Sequence, residues 1–118
     1  MNEELKRKLL EGGIDVDGIL ARLPGREELI IRLLCKFPEE KCYCLLEESL
    51  KNKDYNKAFE NAHNLKGITA NLDMHRLYEL TCVLVEKLRA NQYDGVEGDF
   101  EGIKDEYEKV VAAINTLL

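Results

Sequence analysis

The segment AHNLKGITANL, residues 62–72, places a histidine, a lysine and a glycine close together in an otherwise amphipathic helical pattern. Histidine is one of the side chains that can act as a nucleophile and form a covalent intermediate. Lys66 lies three residues after His63, so on a helix its ammonium group would attract any anion that becomes attached to the imidazole, such as a phosphoryl group. A glycine inside a helix costs roughly 1 kcal/mol of stability relative to alanine, so the presence of Gly67 must be explained by something other than stability. Together the three residues indicate group transfer to the histidine.

Helical geometry puts His63 on the solvent side of this helix. The stripe predicted to face the core consists of Tyr55, Ala58, Ala62, Leu65, Thr69 and Leu72, with Phe59 at its edge. On the helix surface the neighbours of His63 are Lys66, Gly67 and Ala70, and the last two have almost no side chain. A lone helical histidine is more often an ordinary surface residue, but these neighbours should leave the imidazole accessible to an object as large as another protein.

These residues resemble the signature of histidine-containing phosphotransfer (HPt) domains, which pass phosphoryl groups between aspartates of response-regulator receiver domains in multistep phosphorelays. The stretches DYNKAFENAHNLKG and GIDVDGILARLPGREELIIRLLCKF resemble the family's helix entry and its N-terminal portion. The resemblance implies that His63 is the phospho-acceptor, through Nε2, that Lys66 is its electrostatic partner and that Gly67 provides clearance for the receiver. The residues implied to dock the receiver are Phe59, Glu60, Asn64 and Ala70.

The reaction implied is attack by a neutral ring nitrogen of His63 on a receiver's aspartyl phosphate, followed by transfer to the aspartate of a second receiver. The sequence contains neither a glycine-rich nucleotide loop nor a carboxylate cluster arranged for Mg²⁺. We therefore expect a phosphoryl carrier and not an enzyme, without a cofactor of its own, to which the partner receiver supplies Mg²⁺. A hybrid sensor histidine kinase is a further partner that the resemblance implies.

Two other functions stay open. The chain could be the phospho-accepting module of a chemotaxis-type histidine kinase, which a kinase ATP domain would phosphorylate directly. It could instead be a non-catalytic adaptor bundle that binds a partner helix, in which case His63 could be replaced by alanine. The second histidine, His75, has the charged neighbours Arg76 and Glu79 and lacks a clearing of small residues, so we interpret it as a surface residue.

The elements that must position these residues are all helical, because apolar residues recur at spacings of three and four and no sustained alternation is present. We expect a single HPt-like domain, residues 1–118, with an antiparallel four-helix bundle and two short N-terminal helices packed on it as a lid. The predicted helices span 2–11, 15–22, 26–51 with a kink or interruption at Pro38, 55–71 and 74–91, followed by a loop at 93–102 and a terminal helix. The predicted N-caps are Asp15, Asp54 and Asp73, and at Asp73 family members commonly carry glycine.

Composition excludes several classes of function. The net charge of −6 comes without a basic face, so nucleic acid is not expected as a partner. No apolar run approaches the ~20 residues of a membrane span, and we expect a cytoplasmic monomer. Cys35, Cys42 and Cys44 fall in one predicted helical region. On an unbroken helix these side chains point in different directions or lie too far apart to form a disulfide or share a metal ion, unless Pro38 breaks the helix. We expect reduced, buried cysteines and keep a metal site as an alternative.

Overall fold

The computed structural model describes residues 1–118 and consists of helices, one short 3₁₀ turn and connecting loops. The helices are α1 (Glu3–Glu11), α2 (Val16–Arg22), α3 (Glu27–Lys36), α4 (Cys42–Lys51), α5 (Tyr55–Asn71), α6 (His75–Arg89) and α7 (Val96–Asn115), and the 3₁₀ turn is Phe37–Glu39. The prediction of an all-α fold is confirmed. None of the helices combines the length and the apolar character that a membrane span requires.

Helices α4 to α7 form an antiparallel bundle in which α5 packs against α4 and α6, and α7 packs against α6 and α4. The predicted bundle is therefore confirmed, with α1 to α3 preceding it. Aromatic rings fill the contact between α4 and α7: Tyr43 stacks on Tyr107 with the ring centroids 3.6 Å apart. The Phe100 ring also stacks on Tyr43, with the centroids 5.5 Å apart. Burial raises the pKa of the Tyr43 hydroxyl group.

The buried face of α5 is made mostly of small side chains. Ala58, Ala62 and Thr69 are buried there together with Leu65, and the Thr69 hydroxyl group donates a hydrogen bond of 3.0 Å to the Leu65 carbonyl oxygen. Small side chains allow helix axes to approach closely, so α5 can lie tightly between α4 and α6. The predicted core stripe is confirmed, although Tyr55 is only partly buried. The opposite face of α5 is left to solvent.

The N-terminal helices cover the end of the bundle at which α5 turns into α6. The Arg22 guanidinium group donates to the Asp73 carboxylate at 2.9 Å, and the Asp15 N–H donates to the Asp73 carbonyl oxygen at 3.1 Å. On the α7 side, Gly12 makes a close approach possible, because a Cβ atom there would lie only 2.2 Å from that of Ala113. The predicted packing of the short helices on the bundle is therefore observed.

Two of the three predicted N-caps are confirmed. The Asp15 side chain accepts a hydrogen bond from the Gly18 N–H at 3.0 Å at the start of α2. The Asp54 side chain accepts one from the Lys57 N–H at 3.3 Å at the start of α5. In both helices the short carboxylate satisfies a backbone donor that the first turn leaves unpaired.

The third prediction, Asp73 as an N-cap, is wrong. Asp73 has a φ of 47° and ends α5 in the left-handed conformation, and the Met74 N–H donates to the Thr69 carbonyl oxygen at 3.0 Å across this turn. This pattern is a Schellman motif, in which glycine is the usual residue because it has no Cβ atom to clash. Here the Asp73 side chain instead binds Arg22, so it joins the turn to α2.

The start of α7 also differs from the prediction, which placed a loop at 93–102. The helix begins at Val96 in spite of glycines at 98 and 102. Val96, Phe100 and Ile103 are buried at spacings of four and three. Their burial against the other helices outweighs the low helix propensity of the two glycines, about 1 kcal/mol each.

Pro38 interrupts the predicted helix 26–51, as expected, and separates α3 from α4. Cys35 therefore lies on a different helix from Cys42 and Cys44, as the predicted interruption at Pro38 implies. All four cysteines are free; Cys42 is buried, Cys35 and Cys82 are partly buried and Cys44 is exposed, so the expectation of burial is correct only for Cys42. No group of three or more histidine, cysteine, aspartate or glutamate side chains is placed to hold a metal ion.

The substitution Asp15→Asn is expected to reduce the loss of stability at acidic pH. The hydrogen bond from the Gly18 N–H, and second the contact with His75, hold the pKa of Asp15 below its ordinary value. A carboxyl group whose pKa is lower in the folded state stabilises the fold above its unfolded pKa of about 4, and this contribution is lost as pH falls through the folded pKa. Urea unfolding below about pH 4 should therefore show a shallower decline in midpoint for the variant than for the wild type. Equal declines would contradict this role of Asp15.

Candidate functional site

The outward face of α5 brings the predicted site residues together. Along the helix they are Phe59, Glu60, His63, Asn64, Lys66, Gly67 and Ala70; Phe59 and Lys66 are half-buried and the others are exposed. This arrangement follows from the small side chains on the opposite face, which hold α5 against α4 and α6 in one rotational position. The residues to which sequence reasoning assigned a role therefore share one continuous surface.

The two histidines differ in their surroundings. His75 contacts the N-cap residue of α2, since its Nε2 atom lies 3.1 Å from Asp15 Oδ2. His63 has neither a hydrogen bond nor an ion pair with another side chain of the protein, and its ring is exposed in the middle of α5. An imidazole without partners keeps both ring nitrogens available for chemistry. The position of His75 agrees with its interpretation as a surface residue.

Open space surrounds Gly67. A Cβ atom built at this position would meet no other atom within 4 Å, apart from its own helix backbone and chain neighbours. Ala70 continues the bare surface by one further turn and is also exposed. Internal packing therefore does not require a glycine at position 67, in contrast to Gly12. Any need for a small residue at this position must come from something outside the chain.

Lys66 supplies the positive charge next to His63. The nearby lysines on α5 and α6, Lys57 and Lys87, are engaged by Asp54 at 4.0 Å and by Asp99 at 2.7 Å. Lys66 takes part in no ion pair within the chain, and its side chain is half-buried. Its stem therefore packs along the helix while the ammonium group stays available for an anion.

Sequence reasoning missed Arg89, the last residue of α6. Its guanidinium carbon lies 5.4 Å from the centre of the Phe59 ring. The Phe59 ring in turn lies beside the His63 imidazole, with centroids 6.1 Å apart and ring planes inclined by 18°. In an antiparallel helix pair, residues at equal distances from the turn lie side by side, and counting from the turn at Asp73 would have placed the end of α6 next to Phe59.

Comparison with known families identifies the bundle. The sequence model of the Hpt domain matches residues 40–113, from the end of the 3₁₀ turn into the last helix. The chain belongs to the Hpt domain family. It is therefore a phosphotransfer module of two-component signalling, a class of phosphoryl carriers and not of kinases. Comparison with curated proteins and with solved structures returned no match.

The Hpt match spans α4 to α6 and most of α7, so the helix that carries His63 lies inside it. Helices α1 to α3 precede the matched range and reach the bundle mainly through α7 and the turn at Asp73. The outward face of α5 thus carries an imidazole without hydrogen-bond partners, an ammonium group without an ion pair and an open surface. A second molecule can reach this face from solvent.

The substitution Gly67→Ala is expected to stabilise the isolated Hpt domain by up to about 1 kcal/mol, because it adds helix propensity at an exposed position without a clash. Gly12→Ala provides the matched contrast and should destabilise the domain, because the new Cβ atom would overlap Ala113. Urea unfolding followed by circular dichroism measures both changes. A loss of stability in Gly67→Ala would show that the glycine is needed by the fold itself.

Proposed function

We propose that this Hpt domain accepts a phosphoryl group on His63 from the aspartyl phosphate of a receiver domain and passes it to the aspartate of another receiver. The observation that supports the proposal most directly is the state of the His63 ring, which is exposed and unpaired beside the open surface at Gly67. A receiver is a folded domain, and its phosphorylated aspartate can reach the imidazole only if the surrounding surface is nearly flat. Gly67 and Ala70 supply this flat surface.

In the proposed reaction, a lone pair on Nε2 of neutral His63 attacks the phosphorus atom in line. The P–O bond to the aspartate breaks as the new P–N bond forms, and the aspartate leaves as a carboxylate. The second transfer is the reverse reaction, with a carboxylate of another receiver as the nucleophile and the imidazole as the leaving group. We assign Mg²⁺ to the receiver, which would hold it next to the transferred group.

Lys66 has an electrostatic role in this proposal. A phosphoryl group carries a charge of roughly −1.5 to −2 near neutral pH, and the imidazole alone does not compensate it. The unpaired ammonium group of Lys66, one turn after His63 on α5, would attract this charge as it arrives. It would also slow the loss of the group by stabilising the phosphorylated state.

The docking surface in this proposal is the rest of the same face. Glu60 and Asn64 are exposed beside His63 and provide polar contacts, while Ala70 and half-buried Phe59 provide apolar ones. We further propose that the domain acts as a cytoplasmic monomer and that one receiver belongs to a hybrid sensor histidine kinase. The partners in a given cell can be identified by measuring phosphotransfer against each of its receiver domains.

The substitution His63→Gln is expected to abolish labelling by a phosphorylated receiver in the presence of Mg²⁺, because an amide cannot form the phosphoramidate. His75→Gln is the matched control and should accept label at the wild-type rate. The assay follows radioactive phosphate from receiver to Hpt domain, with circular dichroism to verify that each variant is folded. Label that persists in His63→Gln would refute the assignment. Direct labelling by a kinase ATP domain would instead favour the chemotaxis-type module.

The substitution Gly67→Gln is expected to slow phosphotransfer by about tenfold or more, since a long side chain one turn from His63 would keep the donor from its attack distance. Gly98→Gln is the matched control, because Gly98 is another exposed helical glycine with open space around it but lies on α7. It should transfer normally. Wild-type transfer rates and receiver affinity in Gly67→Gln would contradict the proposed clearance.

A further inference from the structure

We propose that Phe59 is a positioning residue for His63: its ring holds the imidazole in one orientation, so that Nε2 meets the phosphoryl donor at a fixed angle. This inference rests on the proposed role of His63 as the phospho-acceptor. It gives Phe59 a function distinct from an apolar contact with the receiver, because the residue would act on the imidazole and not on the partner.

Helix geometry directs the His63 side chain toward Phe59. Every Cα–Cβ bond of an α-helix tilts toward the N-terminus, so a long side chain lies over the turn that precedes it. Phe59 occupies that turn, four residues before His63 on α5. The turn that follows His63 carries Gly67, where the surface is bare. The imidazole therefore leans toward Phe59 and away from the open surface.

The two rings form an offset aromatic pair. Their centroids are 6.1 Å apart and their planes are inclined by 18°. This separation lies within the roughly 4.5–7 Å over which aromatic pairs attract one another, and near-parallel offset rings are a favourable arrangement. Because no hydrogen bond fixes the His63 ring, contact with Phe59 is what restricts its rotation.

Phe59 is itself held in place. Its ring is half-buried and packs against the hydrophobic core. The Arg89 guanidinium carbon lies 5.4 Å from the centre of the ring, so a side chain of α6 restricts the ring as well. A fixed neighbour limits the motion of an exposed side chain, whereas a mobile neighbour would move with it. Phe59 thus links the packed core to an exposed imidazole.

An imidazole held in one orientation reacts faster with a donor whose direction of approach is fixed. A docked receiver brings its aspartyl phosphate to His63 from one direction, and in-line attack requires the Nε2 lone pair to point at the phosphorus atom. An imidazole that rotates freely must lose this freedom in the transition state, which lowers the rate of transfer within the complex. A small donor that approaches from any direction does not impose this requirement.

A docking role alone predicts a different result. If Phe59 only contacts the receiver, its loss weakens the complex and raises the receiver concentration at half-maximal rate, while the maximal rate is unchanged. If Phe59 orients His63, the maximal rate falls and the half-saturating concentration stays the same. The dependence of the rate on receiver concentration therefore distinguishes the two roles.

The test measures single-turnover transfer from phosphorylated receiver, with Mg²⁺, over a range of receiver concentrations. Phe59→Leu removes the planar ring but keeps an apolar side chain, and Phe59→Tyr keeps the ring. Tyr55→Leu is the matched control, because Tyr55 is a partly buried aromatic residue of α5 that stacks on Tyr93, with centroids 3.8 Å apart, and lies two turns before His63. Circular dichroism verifies that each variant is folded.

We expect Phe59→Leu to lower the maximal rate by about threefold to tenfold, the effect of freeing one side chain, with an unchanged half-saturating concentration. Phe59→Tyr should restore the rate, and Tyr55→Leu should transfer as the wild type does. Phosphoramidate is a small donor whose P–N bond breaks and whose ammonia leaves as the new P–N bond forms at His63. With this donor, Phe59→Leu should react within about twofold of the wild-type rate.

The unmodified wild type provides a readout that needs no variant. In its ¹H spectrum, nuclear Overhauser effects should connect the ring protons of Phe59 and His63.

Four results would overturn the inference while leaving phosphorylation of His63 intact. They are an unchanged maximal rate in Phe59→Leu, an equal fall in Tyr55→Leu, a fall that Phe59→Tyr does not restore or that phosphoramidate shows equally, and the absence of ring contact in the wild-type spectrum. If the wild type forms no phosphohistidine at position 63 with phosphoramidate or with receivers, the proposed function fails as well.

Discussion

The close packing of the small-residue face of α5 between α4 and α6 is the constraint on which the site depends. Ala58, Ala62 and Thr69 are fully buried and fix how α5 is rotated in the bundle. A bulkier side chain at any of them would push α5 outward or rotate it, and overpacking of this kind costs about 1–3 kcal/mol. Because side chains on a helix keep fixed angular relations, this rotation also decides what faces solvent. His63 and Gly67 are exposed as a direct consequence.

The exposed face of α5 contributes less to the stability of the folded domain than it could. Gly67 lowers helix propensity at a position where the chain itself has room for a larger side chain, and His63 and Lys66 have no ion partners within the chain. These features are compatible with a surface that meets another molecule, because each leaves favourable interactions unmade in the isolated domain. The family assignment explains this pattern, since an Hpt domain works by exchanging a phosphoryl group with other proteins. The buried contacts in the rest of the bundle stabilise the fold instead.

The turn between α5 and α6 has a separate structural role. Asp73 ends α5 in a left-handed conformation, accepts the Asp15 N–H at its carbonyl oxygen and binds Arg22 through its side chain. A glycine would adopt this backbone conformation with less strain, but it could not bind Arg22. The aspartate thus joins α2 to the bundle at the end remote from His63. The same turn sets α6 antiparallel to α5, which carries Arg89 back to the neighbourhood of Phe59.

The sequence alone determined the features that depend on local geometry. Helical spacing identified the buried stripe of α5 and the outward direction of His63, Pro38 marked the interruption between α3 and α4, and Asp15 and Asp54 were found as N-caps. Each of these follows from contacts between residues no more than about four positions apart. The resemblance to Hpt domains was carried by residues 54–72 and by the N-terminal stretch 13–37, and the family comparison confirmed the family with a match over residues 40–113.

Other features were decided by tertiary structure. Burial of Val96 and Phe100 made residues 96–102 helical against their local propensity. The left-handed conformation of Asp73, the exposure of Cys44 and the contact between Arg89 and Phe59 also depend on how helices pack. The free energy of these arrangements comes from side chains that are distant along the chain, so no local pattern encodes them. The local pattern therefore predicted which face of α5 is buried and which carries the histidine, whereas packing between helices determined that Arg89 of α6 lies beside Phe59.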